Sequence, residues 1–298
     1  MKDIVVSAIQ MVSGDSVAHN LARARALLQQ AAAGGAQLAL LPENFAHLSG
    51  RGSYAVAETF AGIDDAGSEG SGGIRVGENR ASAEQQPIQH ALQRWAAELG
   101  IWLVAGSVAL RERADGSATE GSRSRSACLV YDDRGRLRAR YDKIHLFDVE
   151  VDDAAGRYRE SASIEAGNAI RVASTPWGDL GLSICFDLRF PELYRALAMA
   201  GAEMLVAPSA FTHTTGQAHW MTLLRARAIE NGCFVIAANQ GGQHSPNRRT
   251  WGHSAIIDPW GQVLAEADEG EAVVTAKLEA ETLARIRRQM PLLSMRRL

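Results

Sequence analysis

The chain has only three cysteines in 298 residues, Cys128, Cys185 and Cys233. An odd number does not make a disulfide framework, so they read as free thiols of a reducing compartment, and a cytoplasmic location is expected. No C-x-x-C pair or His/Cys cluster at ligand spacing occurs. Neither a metal nor a cofactor is therefore expected. Long apolar runs are missing too, and the opening M-K-D-I-V-V-S-A-I-Q has no cleavable signal pattern. That argues against a membrane protein. Charge of one sign is not in excess: 31 Lys and Arg stand against 34 Asp and Glu, a net charge of -3. Nothing there would attract a nucleic acid or an anionic membrane. No Pro/Gly/Ser linker divides the chain, so one domain over 1–298 is expected, with a C-terminal tail from about residue 289.

What is present is a 46% hydrophobic chain in which apolar runs alternate with amphipathic stretches. Strands are expected at Asp3 to Gln10, Ala36 to Leu41, Trp102 to Ala109, Ala127 to Asp132, Ile170 to Ser174 and Leu180 to Cys185. Further strands are expected at Met204 to Ala207, Phe234 to Asn239, His253 to Asp258 and Ala272 to Lys277. Helical spacing marks Ser16 to Ala33, Gln86 to Leu99, Pro191 to Gly201 and Gln217 to Asn231, with a last turn or two at Arg285 to Arg288. Such alternation indicates a layered α/β domain, with hairpins such as Leu129 to Ala139 mixing antiparallel pairs into it. The polar stretch Gly62 to Gln85 is expected to be a mobile surface loop beside the site mouth, and Arg111 to Ser126 the tip of a hairpin.

Three segments carry chemistry. In G-L-S-I-C-F-D-L-R-F-P-E-L-Y, Gly181 to Tyr194, Cys185 ends an apolar run and acidic and basic residues follow at once. A thiol held where a strand turns into a helix suits a nucleophile, and it is expected to be accessible there. A space-filling cysteine would suit more apolar neighbours, so this segment alone leaves both readings open. In L-L-P-E-N-F, Glu43 follows a short apolar run closed by Pro42. It lies just past a strand end, where sites of layered α/β folds gather, and a carboxylate there suits a general base. An exposed loop glutamate is the plainer alternative. In R-Y-D-K-I-H-L-F-D-V-E, Lys143 can be a solvated strand residue, or can set its ammonium beside a thiolate and a developing oxyanion.

Glu43, Lys143 and Cys185 in that order resemble the Glu-Lys-Cys triad of the nitrilase (carbon-nitrogen hydrolase) superfamily. The resemblance runs through L-P-E-N, K-I-H-L-F-D, I-C-F-D-L-R-F-P-E, P-S-A-F-T (Pro208 to Thr212), H-W-M-T-L-L-R-A-R-A-I-E-N (His219 to Asn231) and G-H-S-A-I-I-D-P-W-G (Gly252 to Gly261). Within it the chain is most similar to the Nit branch, on the side of the amidases that act on deaminated glutathione. The resemblance implies a four-layer α-β-β-α sandwich. It also implies hydrolysis of a primary carboxamide through a thioester on Cys185, with ammonia released. Glu43 would be the base, and Lys143 with the Phe186 backbone N–H would hold the oxyanion. It places a second glutamate at Glu160 rather than Glu150, although V-D-D-A-A-G-R before it departs from the family turn. Arg189 would fork onto a substrate carboxylate, or else pair internally with Asp187 or Glu192. Phe211, Thr212 and Thr215 would wall the pocket. The family uses no catalytic histidine, so His145, His219 and His253 are expected to be buried structural residues. It self-associates through helices, so a homodimer or higher homo-oligomer is implied.

The same triad serves ω-amidases acting on α-ketoglutaramate, N-carbamoyl hydrolases and nitrilases, which differ in pocket shape. A different class, a non-catalytic binding or scaffold protein, would be marked by loss of the triad, and all three residues are present.

Overall fold

The computed structural model describes residues 1–49, 53–62 and 86–297. The loop expected over 62–85 lies, from 63 onward, outside the described residues. In chain order the first half runs β1 (Ile4–Gln10), α1 (Val17–Ala33), β2 (Leu38–Leu40), α2 (Pro87–Leu99), β3 (Trp102–Val104), β4 (Val108–Leu110), β5 (Arg125–Tyr131), β6 (Leu137–Asp142), β7 (Asp148–Glu150) and β8 (Arg157–Arg159). The second half adds β9 (Val172–Thr175), β10 (Gly178–Gly181), α3 (Pro191–Met199), β11 (Met204–Val206), α4 (His213–Asn231), β12 (Phe234–Ala237), β13 (Gly241–Ser245), β14 (Arg248–Trp251), β15 (Ala255–Ile257), β16 (Val263–Glu266), β17 (Ala272–Leu278) and α5 (Ala280–Gln289).

Two mixed sheets form. One has the order β17-β1-β2-β3-β5-β4, with β6 added on β5, and the other β16-β15-β12-β11-β10-β9. Alternation along the strands decides the layering. Val6, Ala8, Leu38, Leu40 and Val104 face a core shared with Leu180, Leu205 and Ile236 of the second sheet. Their neighbours Ile9, Ala39, Leu41 and Leu103 face the other way, onto Leu28 of α1 and Trp95 of α2. Leu197 of α3 and Trp220 of α4 close the far side of the second sheet. The result is the four-layer α-β-β-α sandwich. Strands β1, β2 and β3 are mutually parallel, as are β10, β11 and β12, so their carboxyl ends leave the sheets on one edge.

Several boundaries differ from the sequence-based expectation for local reasons. Trp102 to Ala109 is two strands, because Gly106 turns the chain at φ 56°. A Cβ on Gly106 would collide with the Pro42 carbonyl, so only glycine fits this approach. The strand expected through Cys185 stops at Gly181. Helix α4 starts four residues earlier than Gln217, because the Thr212 hydroxyl accepts from Thr215 N. The last helix is a full Ala280–Gln289 rather than a turn or two. The hairpins β7–β8 and β13–β14 had no counterpart in the sequence reading.

Hairpin β13–β14 is tied to the N-terminal segment through His244. Its Nδ1 lies 2.7 Å from Ser13 O, and its Nε2 lies 2.6 Å from Thr250 Oγ1. Burial lowers its pKa from 6.5 to about 4. Between those values the unfolded chain holds a proton that the fold does not. This share of stability is complete above pH 6.5 and is lost as pH falls toward 4. Urea unfolding should therefore show lower stability at pH 5 than at pH 7, and His244→Gln should flatten that slope. An identical slope in the variant would refute the assignment.

Candidate active site

The common edge of the two sheets surrounds a cavity of about 270 Å³. Glu43 comes off β2, Lys143 off β6, Cys185 off β10, and Phe211 and Thr212 off β11. Glu160 enters from the short 3₁₀ turn that follows β8. Every residue that the resemblance assigns to catalysis or substrate binding lines this one cavity, Phe186, Arg189 and Thr215 included. Glu150 does not. It is exposed, and its carboxylate stands 3.8 Å from Arg157.

Lys143 is the centre of the cluster. Its side chain is 2% exposed, and its Nζ donates to Glu43 Oε1 at 2.7 Å and to both Glu160 oxygens at 2.9 Å. Burial alone would pull the ammonium down. Glu160, Glu43 and Cys185 outweigh it and hold its pKa well above the ordinary value, so the lysine stays charged. Glu160 is raised by burial and by Glu43, with Lys143 opposing. Glu160 also accepts from Phe147 N at 2.7 Å, which fixes its head.

Cys185 sits at φ 50°, a left-handed conformation rare for a side-chain residue, at the start of the 3₁₀ turn Cys185–Arg189. The expectation of an accessible thiol is corrected: Cys185 is 7% exposed, on the wall of the cavity. Burial first, then Glu43, hold its pKa well above the usual thiol range, against the pull of Lys143 and the Ala210 N–H. The resting group is a neutral thiol that needs a base. The Phe186 N–H follows directly, among the first amides of the turn, which lack partners within it.

The strained turn is held by Asp187, a residue that sequence reasoning passed over except as a partner for Arg189. Asp187 is 0% exposed. Its Oδ2 accepts from Ile184 N at 2.8 Å and from Tyr141 OH at 2.7 Å. Its Oδ1 accepts from His145 N at 3.0 Å, and from the His145 ring at 2.7 Å. One buried carboxylate thus joins the residue before Cys185 to both sides of Lys143. Gln240 does the same for the third segment, donating to Glu43 O at 3.0 Å and to Ser13 Oγ at 2.9 Å. Asn44, at φ 56°, donates its N–H to Ser107 Oγ at 2.9 Å. Asp187 in F-D-L-R and Gln240 in A-N-Q-G both stand beside strand ends, the one signal that could have marked them.

The histidine expectation needs correction. His219 is exposed, and His145 and His253 are only half-buried. Each still has a partner: Asp187 for His145, Arg189 for His219 at 3.1 Å, and Glu266 for His253 at 3.0 Å. Cys128 and Cys233 are buried, as expected.

Arg189 makes no ion pair with Asp187 or Glu192. Its guanidinium lies 5.7 Å from the Phe186 ring centroid and 5.2 Å from that of Phe211, facing the cavity. Burial lowers its pKa, with Cys185 opposing.

The carbon-nitrogen hydrolase family profile matches residues 5–288. The chain belongs to that family. The carbon-nitrogen hydrolase is 39% identical over 298 residues to the deaminated glutathione amidase of Yersinia enterocolitica, covering 98% of this chain and 93% of that protein. It is 32% identical over 299 residues to the omega-amidase NIT2 of Danio rerio, covering 100% and 96%. Among solved structures, the C. elegans NitFhit protein is similar with a TM-score of 0.81 at 32% identity, over 100% of this chain and 66% of that one. Saccharomyces cerevisiae Nit3, of the nitrilase superfamily, matches with a TM-score of 0.81 at 26% identity, over 100% and 97%. The chain is an amidase of the nitrilase superfamily.

Replacing Asp187 by Asn keeps the shape but removes acceptor capacity from a carboxylate with four donors. Asp187→Asn should cost about 2 kcal/mol or more of stability. Amidase kcat should fall with it, as Cys185 and Lys143 lose their common anchor. Urea unfolding and steady-state kinetics check both, and a variant with wild-type stability and kcat would refute the linkage.

Proposed function

We propose that this amidase hydrolyses the internal amide of deaminated glutathione through a thioester on Cys185. The observation that carries the reading is the convergence of Glu43, Lys143, Glu160 and Cys185 on one buried cluster in the cavity. The neutral thiol gives its proton to Glu43 as Sγ attacks the carbonyl carbon. The Lys143 ammonium and the Phe186 N–H stabilise the oxyanion, each donor being worth roughly 10²–10³ in rate. As the tetrahedral intermediate collapses, the C–N bond breaks and the nitrogen leaves with the proton from Glu43. Water then attacks the thioester as Glu43 takes its proton, and Glu43 returns that proton to the Cys185 sulfur as the C–S bond breaks and the acid leaves. Glu160 holds Lys143 in place throughout.

The expectation of a primary carboxamide and released ammonia is corrected for this substrate: the scissile bond of deaminated glutathione is a secondary amide, so a peptide amine leaves. In α-ketoglutaramate it is a primary carboxamide, and ammonia leaves. The first substrate is favoured by the 39% identity to amidases of that name, against 32% for the omega-amidase. The second is kept as the alternative by that same omega-amidase, which aligns over the whole chain. Arg189, with no carboxylate of its own, binds a substrate carboxylate between Phe186 and Phe211, and Thr212 and Thr215 line the same wall.

The protein acts as a single domain in the cytoplasm. It forms at least a homodimer through the α3–α4 face, where Met199, Ile229 and Trp260 are exposed. No helix among the described residues is long and apolar enough to cross a membrane.

Two measurements test these readings. With deaminated glutathione, mass spectrometry should find an acyl adduct on Cys185. Glu43→Gln should lose at least about 10²-fold in kcat, and Cys185→Ala essentially all activity. An adduct on Cys128 or Cys233, or a wild type that prefers α-ketoglutaramate, would overturn the mechanism or the substrate respectively. Sedimentation velocity at micromolar concentration should give a dimer, and Ile229→Glu should shift it toward monomer. A wild-type monomer would end the assembly proposal.

A further inference from the structure

Beyond the acid–base cluster, the cavity walls carry four guanidiniums: Arg157, Arg159, Arg189 and Arg248. The only acidic residues lining the cavity, among the described residues, are Glu43 and Glu160, and both are already bound to Lys143. Among the described residues the outer cavity is thus cationic. Of the four, Arg248 stands apart. It lies at the start of β14, is half-buried, and makes no ion pair among the described residues. Its Nε is buried with no hydrogen-bond partner among them. That enclosed N–H is out of a ligand's reach, but Arg248 is only half-buried on the cavity wall, and a carboxylate is the group a guanidinium fork fits.

A continuous aromatic wall relates Arg248 to Arg189. Arg248 stands 5.9 Å from the Tyr158 ring centroid. Tyr158 packs on Phe147 at 5.0 Å, and Phe147 meets Phe186 edge-on at 5.1 Å. Phe186 follows Cys185 and lies beside Arg189. Three rings therefore separate Arg248 from Arg189, with Cys185 at the Arg189 end. The backbone supports the placement: Thr250, two residues beyond Arg248, bridges Thr212 of the cavity wall.

We infer that Arg248 is a specificity-determining residue that binds a carboxylate on the leaving-amine side of the substrate, while Arg189 binds the carboxylate on the acyl side. This deepens the deaminated-glutathione reading and rests on it. A substrate with an acid at each end spans the aromatic wall and meets a cation at both ends. A short keto-acid amide such as α-ketoglutaramate carries only the acyl-side acid and leaves Arg248 unused. The hairpin β13–β14 is then a substrate selector, separate from the groups that do the chemistry.

The test compares three acyl-identical substrates: deaminated glutathione, its analogue with the terminal glycine carboxylate converted to a carboxamide, and α-ketoglutaramate. Wild type should favour the first over the second by about 10- to 100-fold in kcat/KM, mostly through KM. In Arg248→Gln that ratio should collapse toward 1, and Arg248→Lys should recover part of it. A merely structural role for Arg248 would lower all three substrates together and leave the ratio intact, which would overturn the inference. A wild type with no preference between the first two would also overturn it while leaving the parent reading in place. A wild type that turns over α-ketoglutaramate alone would overturn both.

Discussion

Everything at this site depends on one buried cation. An ammonium with 2% of its side chain exposed is stable only if its charge is matched and its donors are filled. Glu43 and Glu160 do both for Lys143, and Cys185 lies close enough to feel the same charges. The arrangement constrains the chemistry as well as the fold. Two carboxylates share one lysine, so the cluster has no excess positive charge with which to ionise the thiol in advance. A neutral thiol with a carboxylate beside it is suited to proton transfer during attack rather than before it.

That balance holds only if segments from both sheets keep register. Asp187 and Gln240 supply the register. The first gathers donors from the Lys143 segment and the Cys185 turn, and the second fixes the Glu43 backbone against Ser13. The left-handed residues Asn44 and Cys185 and the turn at Gly106 sit on these same segments. Backbone strain at such places persists because the surrounding hydrogen bonds over-determine it. The cost of the strain and the rigidity of the site therefore share one cause.

The outer cavity follows a different logic. Arg189 and Arg248 have no acid of their own among the described residues, and aromatic rings rather than carboxylates support them. The inner cluster is internally neutralised to carry out a proton transfer. Among the described residues the mouth is left cationic, which suits an anionic ligand. Reaction and selection are thus separated along one wall.

The local chemistry was legible in the sequence because it is written in short segments. An apolar run ending in Pro42-Glu43 or near Cys185, and an alternating stretch closing at Asp142-Lys143, each show a strand end and a reactive group within a few residues. Period-two and helical spacing were enough for the alternating layers, for α1 and for α2. The choice between three and four layers needed the family resemblance, as did Glu160, which follows a hairpin that no periodicity marks. The exposure of Cys185 and the histidines was misjudged, because burial is set by elements far away in the chain. Asp187 reaches Tyr141 across 46 residues, and Gln240 reaches Glu43 across 197. Arg248 lies in a hairpin whose polar residues look solvated until β7–β8 is packed beside it. Sequence alone determined which residues can react, since that is a property of side-chain type at a strand end. Only the tertiary structure decided which of them share a charge, because pairing in a low-dielectric interior depends on distance in space and not along the chain.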